Sequence, residues 1–292
     1  MELPGPGNRI TLITGATNGI GQAAALAIAG EGGRVVIAGR NAAKTEAVAA
    51  ELRQASGNPA VDFLVADLSS LAEVRRLAAE FQARYGRLHV LVNNAGAFFM
   101  RRQETVDGLE MTFALNHLSY FLLTTLLLDT LKASAPARVM NVASAAESSA
   151  KIDWDDLQLR RRYRGFEAYA LSKRFNLYFT YELARRLAGT DVTANAVHPG
   201  SAATGIWANP FGPFGGLAKP VTKLMMRSPE QGADTVVYLA TSPDVEGVTG
   251  TYYADRQARH SSRASQDPEA ARRAWQVSEA LVAASSPAGL DE

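Results

Sequence analysis

The chain has 292 residues, with 30 lysines and arginines against 29 aspartates and glutamates, and it contains no cysteine. The near balance of charge gives no electrostatic case for binding nucleic acid, and the lack of cysteine excludes disulfides and thiolate catalysis. Hydrophobic residues make up 47% of the chain, which is enough for the core of one domain over residues 1–292.

Several expectations concern location and metals. A cysteine-free chain fits the cytoplasm, and residues 1–8 lack the basic and apolar regions of a signal peptide or membrane anchor. The densest apolar run, residues 121–128, is too short to cross a bilayer, so we expect no integral membrane segment. The four histidines show no metal-ligand spacing, which predicts structural roles for them and no metal site.

The first segment predicts a strand, a glycine turn and a helix. Residues 9–14 are mostly apolar, Gly15, Gly19 and Gly21 follow, and residues 22–31 are rich in alanine. Glycines in this order permit a tight turn, a close approach of the backbone to a pyrophosphate, and close packing of the helix on the sheet. The N–H groups at the start of the helix attract phosphate. The pattern favours a dinucleotide site over a merely flexible turn.

The second strand, residues 34–39, ends at Gly39 and Arg40. A cofactor without a 2′-phosphate would need an aspartate or glutamate at this corner for its ribose hydroxyls. A small residue instead leaves room for a phosphate, and Arg40 can pair with it, with Lys44 as a second cation. The sequence therefore favours NADP(H) over NAD(H). The alternative is that Arg40 is an ordinary solvated charge.

The alternation of strands and helices continues through most of the chain. We predict further strands at 61–65, 88–92, 138–142, 192–197 and near 251–253, and helices near 42–54, 71–85, 108–132, 169–187, 229–240 and 267–284. This pattern predicts an α/β fold, a single Rossmann-type doubly wound parallel sheet with helices on both faces and a short C-terminal extension of about residues 255–292. Asp67 falls at the carboxyl end of a strand, where it can bond the adenine or cap a helix.

Tyr169 and Lys173 lie four residues apart and so share one face of the predicted helix. A cation near a phenol stabilises the phenolate and lowers the pKa of the phenol, which suits it to exchange a proton with an alcohol or carbonyl. Asn116 is an amide in a mostly apolar helix, and Ser144 follows the strand at 138–142. The spacing of Tyr169 and Lys173 alone is weak evidence, and the dinucleotide pattern upstream strengthens it.

Together these residues resemble the short-chain dehydrogenase/reductase family over nearly the whole chain. The motifs are Thr14-Gly15-xxx-Gly19-Ile20-Gly21, Asn93-Asn94-Ala95-Gly96, Asn116, Ser144, Tyr169-xxx-Lys173 and Pro199-Gly200, in family order. Residues 116–123, 134–139, 191–200 and 271–278 resemble the retinol-dehydrogenase-like branch.

The resemblance implies roles for these residues. Tyr169 exchanges the proton with the substrate oxygen, Ser144 hydrogen-bonds that oxygen, and Lys173 lowers the pKa of Tyr169 and binds the nicotinamide ribose. Asn116 holds a water that links Lys173 to solvent. The expected cofactor-binding residues, besides Tyr169 and Lys173, are Gly15, Thr17, Asn18, Gly19, Ile20, Gly21, Arg40, Asp67, Leu68, Asn94, Ala95, Gly96, Pro199, Gly200 and Thr204. Pairing through the helices that bear Asn116 and Tyr169 implies a homodimer or homotetramer.

The expected activity is an NADP(H)-dependent interconversion of an apolar aldehyde or ketone with its alcohol. Residues 201–228, rich in glycine, proline and aromatic side chains, predict a substrate lid, or else a cap on the core or a contact with a partner subunit. Phe98, Phe99 and Met100 either form the wall of the substrate pocket opposite this lid or belong to the core.

The sequence leaves one region and two alternative functions open. The segment 145–168 has more residues than in classical members of the family, so its structure does not follow from the resemblance. Two other functions also fit parts of the pattern: a non-catalytic NADP-binding sensor or scaffold, and an epimerase or dehydratase acting on nucleotide sugars. The presence of Asn116, Ser144, Tyr169 and Lys173 together favours catalysis over a sensor, and we see no separate substrate domain after Gly200 to hold a nucleotide sugar.

Overall fold

Eight strands form one sheet within residues 3–200 and 228–284, which are the residues that the computed structural model describes. The strands are β1 (Ile10–Thr14), β2 (Arg34–Gly39), β3 (Val61–Val65), β4 (Val90–Asn93), β5 (Ala137–Val142), β6 (Val192–His198), β7 (Tyr252–Ala254) and β8 (Gln257–Arg259). Their order is β3-β2-β1-β4-β5-β6-β7-β8, and only the pairing of β7 with β8 is antiparallel. The order reverses between β1 and β4, which opens a crevice at their carboxyl ends.

Helices cover both faces of this sheet. They are α1 (Gly19–Ala29), α2 (Ala42–Ser56), α3 (Leu71–Tyr85), α4 (Met111–Phe113), α5 (Ser119–Leu126), α6 (Leu128–Ala133), α7 (Gly165–Arg186), α8 (Pro229–Thr241) and α9 (Pro268–Ala284). Side chains alternate along each buried strand, so Leu12 belongs to the apolar layer that includes α3, α5 and α7, while Ile13 belongs to the layer that includes α1, α2 and α8. The predicted Rossmann-type doubly wound sheet is confirmed.

The helix predicted over residues 108–132 is broken into pieces. It starts late because Gly108 has a φ of +72° and the buried carboxylate of Glu110 accepts hydrogen bonds from the N–H groups of Thr112 and Phe113, which caps α4. A π-helical turn, Ala114–Leu118, joins α4 to α5 and contains Asn116. Leu127, with φ −92° and ψ 3°, then separates α5 from α6.

The last helix, α9, packs its apolar stripe against α7 and α5. Trp275 is buried, and its ring centroid lies 4.9 Å from that of Phe121 and 5.7 Å from that of Phe179. The guanidinium of Arg186 lies 4.0 Å from the centroid of the same ring. The sequence predicts a helix near 267–284 in a C-terminal extension, and the structure shows that this helix is amphipathic and completes the core.

The outer edge of the sheet is covered by arginine side chains. The carbonyls of β3 that point away from β2 each accept a hydrogen bond from a guanidinium nitrogen. The three pairs are Arg53 Nε with Val61 O at 2.7 Å, Arg84 Nη1 with Phe63 O at 3.4 Å, and Arg76 Nη2 with Val65 O at 2.5 Å. These three outward carbonyls of the edge strand therefore already have partners within the chain.

Residues 145–168 begin with a 3₁₀ turn, Ala145–Ser149, and continue as an irregular surface segment. Arg161 and Asp153 form an exposed ion pair of 3.2 Å, while Trp154 contacts Arg273 of α9. Most of the expected lid, 201–227, lies outside the described residues. Within 3–200 and 228–284, no helix has the length and apolar character needed to cross a bilayer.

Candidate active site

A cleft of about 960 Å³ opens at the carboxyl ends of the strands. It brings together most of the residues that the sequence predicts for the site. They are Gly15, Thr17, Asn18, Ile20, Gly21, Arg40, Asp67, Leu68, Asn94, Ala95, Gly96, Ser144, Tyr169, Lys173, Pro199 and Gly200. Gly19 and Asn116 do not line the cleft, and Thr204 lies outside the described residues.

The glycine turn after β1 packs directly on the segment after β4. Gly15 has a φ of +64°, and a Cβ on it would lie 2.6 Å from the Cα of Ala95. A Cβ on Gly21 would lie 2.5 Å from Nδ2 of Asn94. Asn18, the N-cap of α1, makes no side-chain hydrogen bond to the first turn, so the N–H groups of this turn, which lines the cleft, have no side-chain cap. This cradle fits the pyrophosphate of a dinucleotide.

Thr14 and Asn94 fasten the turn in place. Oγ1 of Thr14 accepts hydrogen bonds from the N–H groups of Asn94 at 2.9 Å and Ala95 at 3.1 Å. Nδ2 of Asn94 donates to the carbonyls of Thr14 at 2.8 Å and Gly15 at 3.2 Å. Asn94 therefore holds the two walls of the cofactor cleft together, in addition to lining it.

At the far end of the cleft, the structure leaves no room for a side chain at Gly39. A Cβ there would lie 2.5 Å from both Cγ2 of Thr17 and Oγ1 of Thr45, and Thr45 is buried. Arg40 is exposed and lines the cleft next to Gly39. Asp67 also lines it, and its carboxylate accepts hydrogen bonds from the N–H and hydroxyl of Ser69. The interpretation of Asp67 as a helix N-cap is wrong, because Ser70 caps α3.

Tyr169 and Ser144 meet at the other end of the cleft. Tyr169 lies one turn inside α7, which starts at Gly165 and not at Tyr169 as the sequence predicts. Its hydroxyl is hydrogen-bonded with the side chain of Ser144, and the ring of Phe98 packs edge-on against its ring with centroids 6.0 Å apart. Burial raises the pKa of Tyr169, and the hydrogen bond with Ser144 opposes that rise.

Lys173 is buried beneath Tyr169. Its Nζ donates a 2.9 Å hydrogen bond to the carbonyl of Val142 and lies 5.6 Å from the centroid of the Tyr169 ring. Burial lowers the pKa of Lys173 to about 7, so part of the population is uncharged at neutral pH. The structure therefore places the amine where the sequence predicts it, but burial, which raises the pKa of Tyr169, outweighs any lowering by this amine.

Asn116 supports the site from behind. Its Oδ1 accepts from the N–H of Ala97 at 2.9 Å, and its Nδ2 donates to the carbonyl of Ala97 at 3.0 Å. Its own carbonyl accepts from Nδ2 of Asn176 at 2.9 Å, and Oδ1 of Asn176 lies 3.2 Å from Nδ1 of His117. The side-chain amide of Asn116 thus holds the loop at Ala97, and Asn176 is a supporting residue that the sequence pattern does not reveal.

Apolar side chains line the cleft beside Tyr169. Of the two alternatives for Phe98 and Phe99, the structure supports the wall, because both line the cleft, whereas Met100 is 60% exposed and lies outside the lining. Further lining residues that the sequence does not predict include the apolar side chains of Met111, Leu115 and Phe166 and the polar side chain of Gln103. Phe166 is half exposed and lies at the first turn of α7, three residues before Tyr169, so its spacing is the signal that could have identified it.

Two histidines, His89 and His117, have structural partners, whereas His198 lines the cleft. His89 Nδ1 accepts a 3.0 Å hydrogen bond from the N–H of Ile10, and the ring of His117 lies between Asn176 and Ser278. Within residues 3–200 and 228–284, no three histidine, cysteine, aspartate or glutamate side chains are grouped so that they could hold a metal ion.

The chain is similar to known proteins over most of its length. Residues 9–211 match the family model for short chain dehydrogenase. Retinol dehydrogenase 14 of Mus musculus is 40% identical over 288 residues, which cover 94% of this chain and 86% of that protein.

Two solved structures are also similar. An uncharacterised protein from Mycobacterium paratuberculosis has a TM-score of 0.77 at 33% identity, covering 97% of this chain and 96% of that chain. The NADP active-site complex of RhlG from Pseudomonas aeruginosa has a TM-score of 0.67 at 30% identity, covering 84% of this chain and 93% of that chain. With the sheet order, the glycine turn and the Ser144, Tyr169 and Lys173 geometry, these similarities show that the chain belongs to the short-chain dehydrogenase/reductase family, in its retinol-dehydrogenase-like branch.

Proposed function

We propose that the chain is an NADP(H)-dependent oxidoreductase that interconverts an apolar aldehyde or ketone with its alcohol, with Tyr169 as proton donor and acceptor. Family membership supports a dehydrogenase or reductase acting on CH–OH groups. The main support for this reaction, with Tyr169 as proton donor, is that Ser144, Tyr169 and Lys173 converge at one end of a cleft whose glycine turn fits a dinucleotide.

Bound nicotinamide supplies the hydride, and the side chains of this chain supply the proton and the alignment. The hydroxyl of Tyr169 donates its proton to the substrate oxygen during reduction and takes it back during oxidation. Oγ of Ser144 accepts a 3.3 Å hydrogen bond from the N–H of Ala146, and its O–H, which is next to the Tyr169 hydroxyl, can turn to donate to the substrate oxygen when substrate binds. Lys173, with a pKa of about 7, can exchange a proton near neutral pH and binds the nicotinamide ribose.

The preference for NADP(H) is supported at Gly39 and Arg40. An acidic side chain in place of Gly39 would collide with Thr17 and Thr45, so the corner cannot present a carboxylate to the ribose hydroxyls without movement of both threonines. The exposed guanidinium of Arg40 lines this end of the cleft and can pair with a 2′-phosphate. The similar RhlG structure is a complex with NADP.

The apolar substrate class is supported by the wall beside Tyr169. Phe98, Phe99, Met111, Leu115 and Phe166 give this end of the cleft hydrocarbon and aromatic surface, to which an apolar carbonyl compound binds by displacing water. A similar protein, retinol dehydrogenase 14, is named for an apolar alcohol.

The decisive variant is Tyr169→Phe. We expect the wild-type protein to oxidise NADPH in the presence of a hydrophobic aldehyde or ketone, and the variant to lose turnover while it still binds NADPH. Absorbance of the reduced nicotinamide measures turnover, and nucleotide fluorescence measures binding. Tyr85→Phe, which removes a hydroxyl bonded to Asp62 far from the cleft, is the matched control and keeps full activity. Turnover by Tyr169→Phe would refute the proton-donor role.

Cofactor preference has its own test. Arg40→Ala should weaken NADPH binding by about 10- to 100-fold and leave NADH binding within about twofold, because only NADPH carries the phosphate that a charge-assisted hydrogen bond would hold. Lys44→Ala tests the second cation in the same titration. Equal losses for the two nucleotides would refute the phosphate assignment.

A wild-type protein that binds NADPH but turns over no carbonyl or alcohol would instead be a non-catalytic NADP-binding sensor or scaffold. A cytoplasmic location and a homodimer or homotetramer stay predictions. Trp275 packs against Phe121 of α5 and Phe179 of α7, so any subunit pairing through these helices has to use the rest of their surface. Light scattering measures the number of subunits.

A further inference from the structure

A buried ion pair lies next to the catalytic residues and takes no part in the chemistry described above. Glu147, in the 3₁₀ turn after Ser144, and Arg174, which follows Lys173 in α7, each have side chains that are 3% exposed. Nε of Arg174 lies 2.7 Å from Oε2 of Glu147, and Nη2 of Arg174 donates a 2.7 Å hydrogen bond to the carbonyl of Glu147. The arginine therefore holds both the side chain and the backbone of Glu147.

Ser262, from the segment between β8 and α9, supplies the remaining donors to this carboxylate. Its N–H donates to Oε1 of Glu147 at 2.8 Å, and its hydroxyl donates to Oε2 at 2.9 Å. The same segment is bonded to α7, because the Tyr178 hydroxyl donates to the carbonyl of Ala264 at 3.0 Å. A distant part of the chain thus closes the pocket around Glu147.

The cluster is bonded directly to the backbone of Ser144. The N–H of Glu147 donates a 3.1 Å hydrogen bond to the carbonyl of Ser144, so whatever fixes Glu147 also fixes the start of this turn. Arg174 belongs to the helix that carries Tyr169 and Lys173. The ion pair therefore joins the two elements whose side chains must meet at the substrate oxygen.

We propose that Glu147, Arg174 and Ser262 form a positioning cluster that sets the distance between the Ser144 hydroxyl and the Tyr169 phenol, and that the segment between β8 and α9 is part of the support of the active site. This rests on the proposed oxidoreductase function. A buried ion pair is poor evidence of stabilisation, because well-packed apolar side chains in its place often give a fold that is equally stable. Its directed hydrogen bonds, however, fix the positions of the groups they join. Small errors in the placement of a reacting group have large effects on rate.

The test compares Glu147→Gln and Ser262→Ala with a matched control. Glu147→Gln should lower kcat by about 10- to 100-fold and leave the NADPH dissociation constant within about twofold, because it loosens Ser144 and not the nucleotide turn. Ser262→Ala removes one donor and should lower kcat by about threefold or more. Glu182→Gln replaces another carboxylate of α7 that is 2% exposed and paired with Arg185 and Arg186, and it keeps the wild-type kcat even if it melts earlier.

Each outcome decides the proposal. A kcat for folded Glu147→Gln within about twofold of wild type overturns it, as does an equal fall in Glu182→Gln. If Glu147→Gln does not fold because it leaves Arg174 buried without its ion partner, Ser262→Ala decides, and an unchanged kcat there overturns the proposal.

Amide hydrogen exchange over residues 143–150 supplies a readout that does not depend on turnover. Exchange should rise in Ser262→Ala and not in Glu182→Gln, and no rise in Ser262→Ala overturns the proposal. If the wild-type protein acts on no carbonyl compound, the proposed function fails, and the exchange result alone decides whether the cluster holds the turn.

Discussion

Replacing Lys173 with methionine should make the protein more stable near neutral pH while it removes an amine of the active site. Nζ of Lys173 is buried, and its pKa falls from 10.5 to about 7 in the folded protein. In the unfolded chain this lysine has its ordinary pKa, so between about pH 7 and pH 10.5 the unfolded state binds more protons. The free-energy cost of burying the charged amine of Lys173 therefore applies in full below pH 7, falls as the pH rises, and is absent above about pH 10.5.

The size of the effect follows from the two pKa values. Each pKa unit corresponds to about 1.4 kcal/mol, so the cost is about 4 kcal/mol near pH 7 and about 1.4 kcal/mol near pH 9.5. Methionine matches the apolar length of lysine and loses one hydrogen bond to Val142, worth about 1 kcal/mol. The Val142 carbonyl keeps a partner in Asn176 Nδ2 at 3.3 Å. We expect Lys173→Met to gain about 3 kcal/mol near pH 7 and almost nothing near pH 9.5.

Urea unfolding followed by tryptophan fluorescence measures this gain, with no nucleotide added, at about pH 7 and about pH 9.5. Lys132→Met, at an exposed position of α6, is the control and should show no pH-dependent gain. The reasoning is refuted if Lys173→Met is no more stable than wild type near pH 7, or if its gain is the same at both pH values.

Three further predictions concern stability and cofactor binding. Burial lowers the pKa of His117 to about 3, so only the unfolded state takes up a proton on this histidine as the pH falls below 6.5. The wild-type protein therefore loses stability on acidification, and His117→Phe should lose about 1.4 kcal/mol less per pH unit. Urea titrations between about pH 6 and 4.5 measure this difference. Trp275→Ala should cost about 3–5 kcal/mol of unfolding free energy at neutral pH. Gly21→Ala should weaken NADPH binding about tenfold or more in a fluorescence titration, because its Cβ would meet Asn94; unchanged binding would contradict this.

Local signals explain which elements the sequence predicts well. The predicted and observed bounds of α3 coincide, because Ser70 caps its start through the N–H of Glu73 and Gly86, with a φ of +66°, ends it. The cofactor cleft was also predictable, since the glycine turn, Asn94 and Arg40 each lie within a few residues of a strand end. Such features depend on neighbours in the chain, and a sequence displays those neighbours directly.

The features that the sequence does not predict depend on distant partners. The π-helical turn at Asn116 accompanies bonds to Ala97 and Asn176, and no periodicity of residues 108–132 reveals it. The proposed role of Glu147 rests on its contacts with Arg174 and with Ser262, which is 115 positions away. Likewise, the raised pKa of Tyr169 reflects three-dimensional burial, whereas the spacing from Lys173 shows only the opposing charge.

The arginines along β3 have a consequence for how this protein behaves at high concentration. An exposed edge strand is a template on which another chain can add a strand, which leads to aggregates or fibrils. At β3 an incoming strand would have to displace the guanidinium groups of Arg53, Arg76 and Arg84 from the carbonyls they already occupy. Two of these groups are also held by carboxylates, Arg76 by Glu73 and Glu80 and Arg84 by Asp62 and Glu80, so this edge resists the growth of the sheet from one molecule into the next.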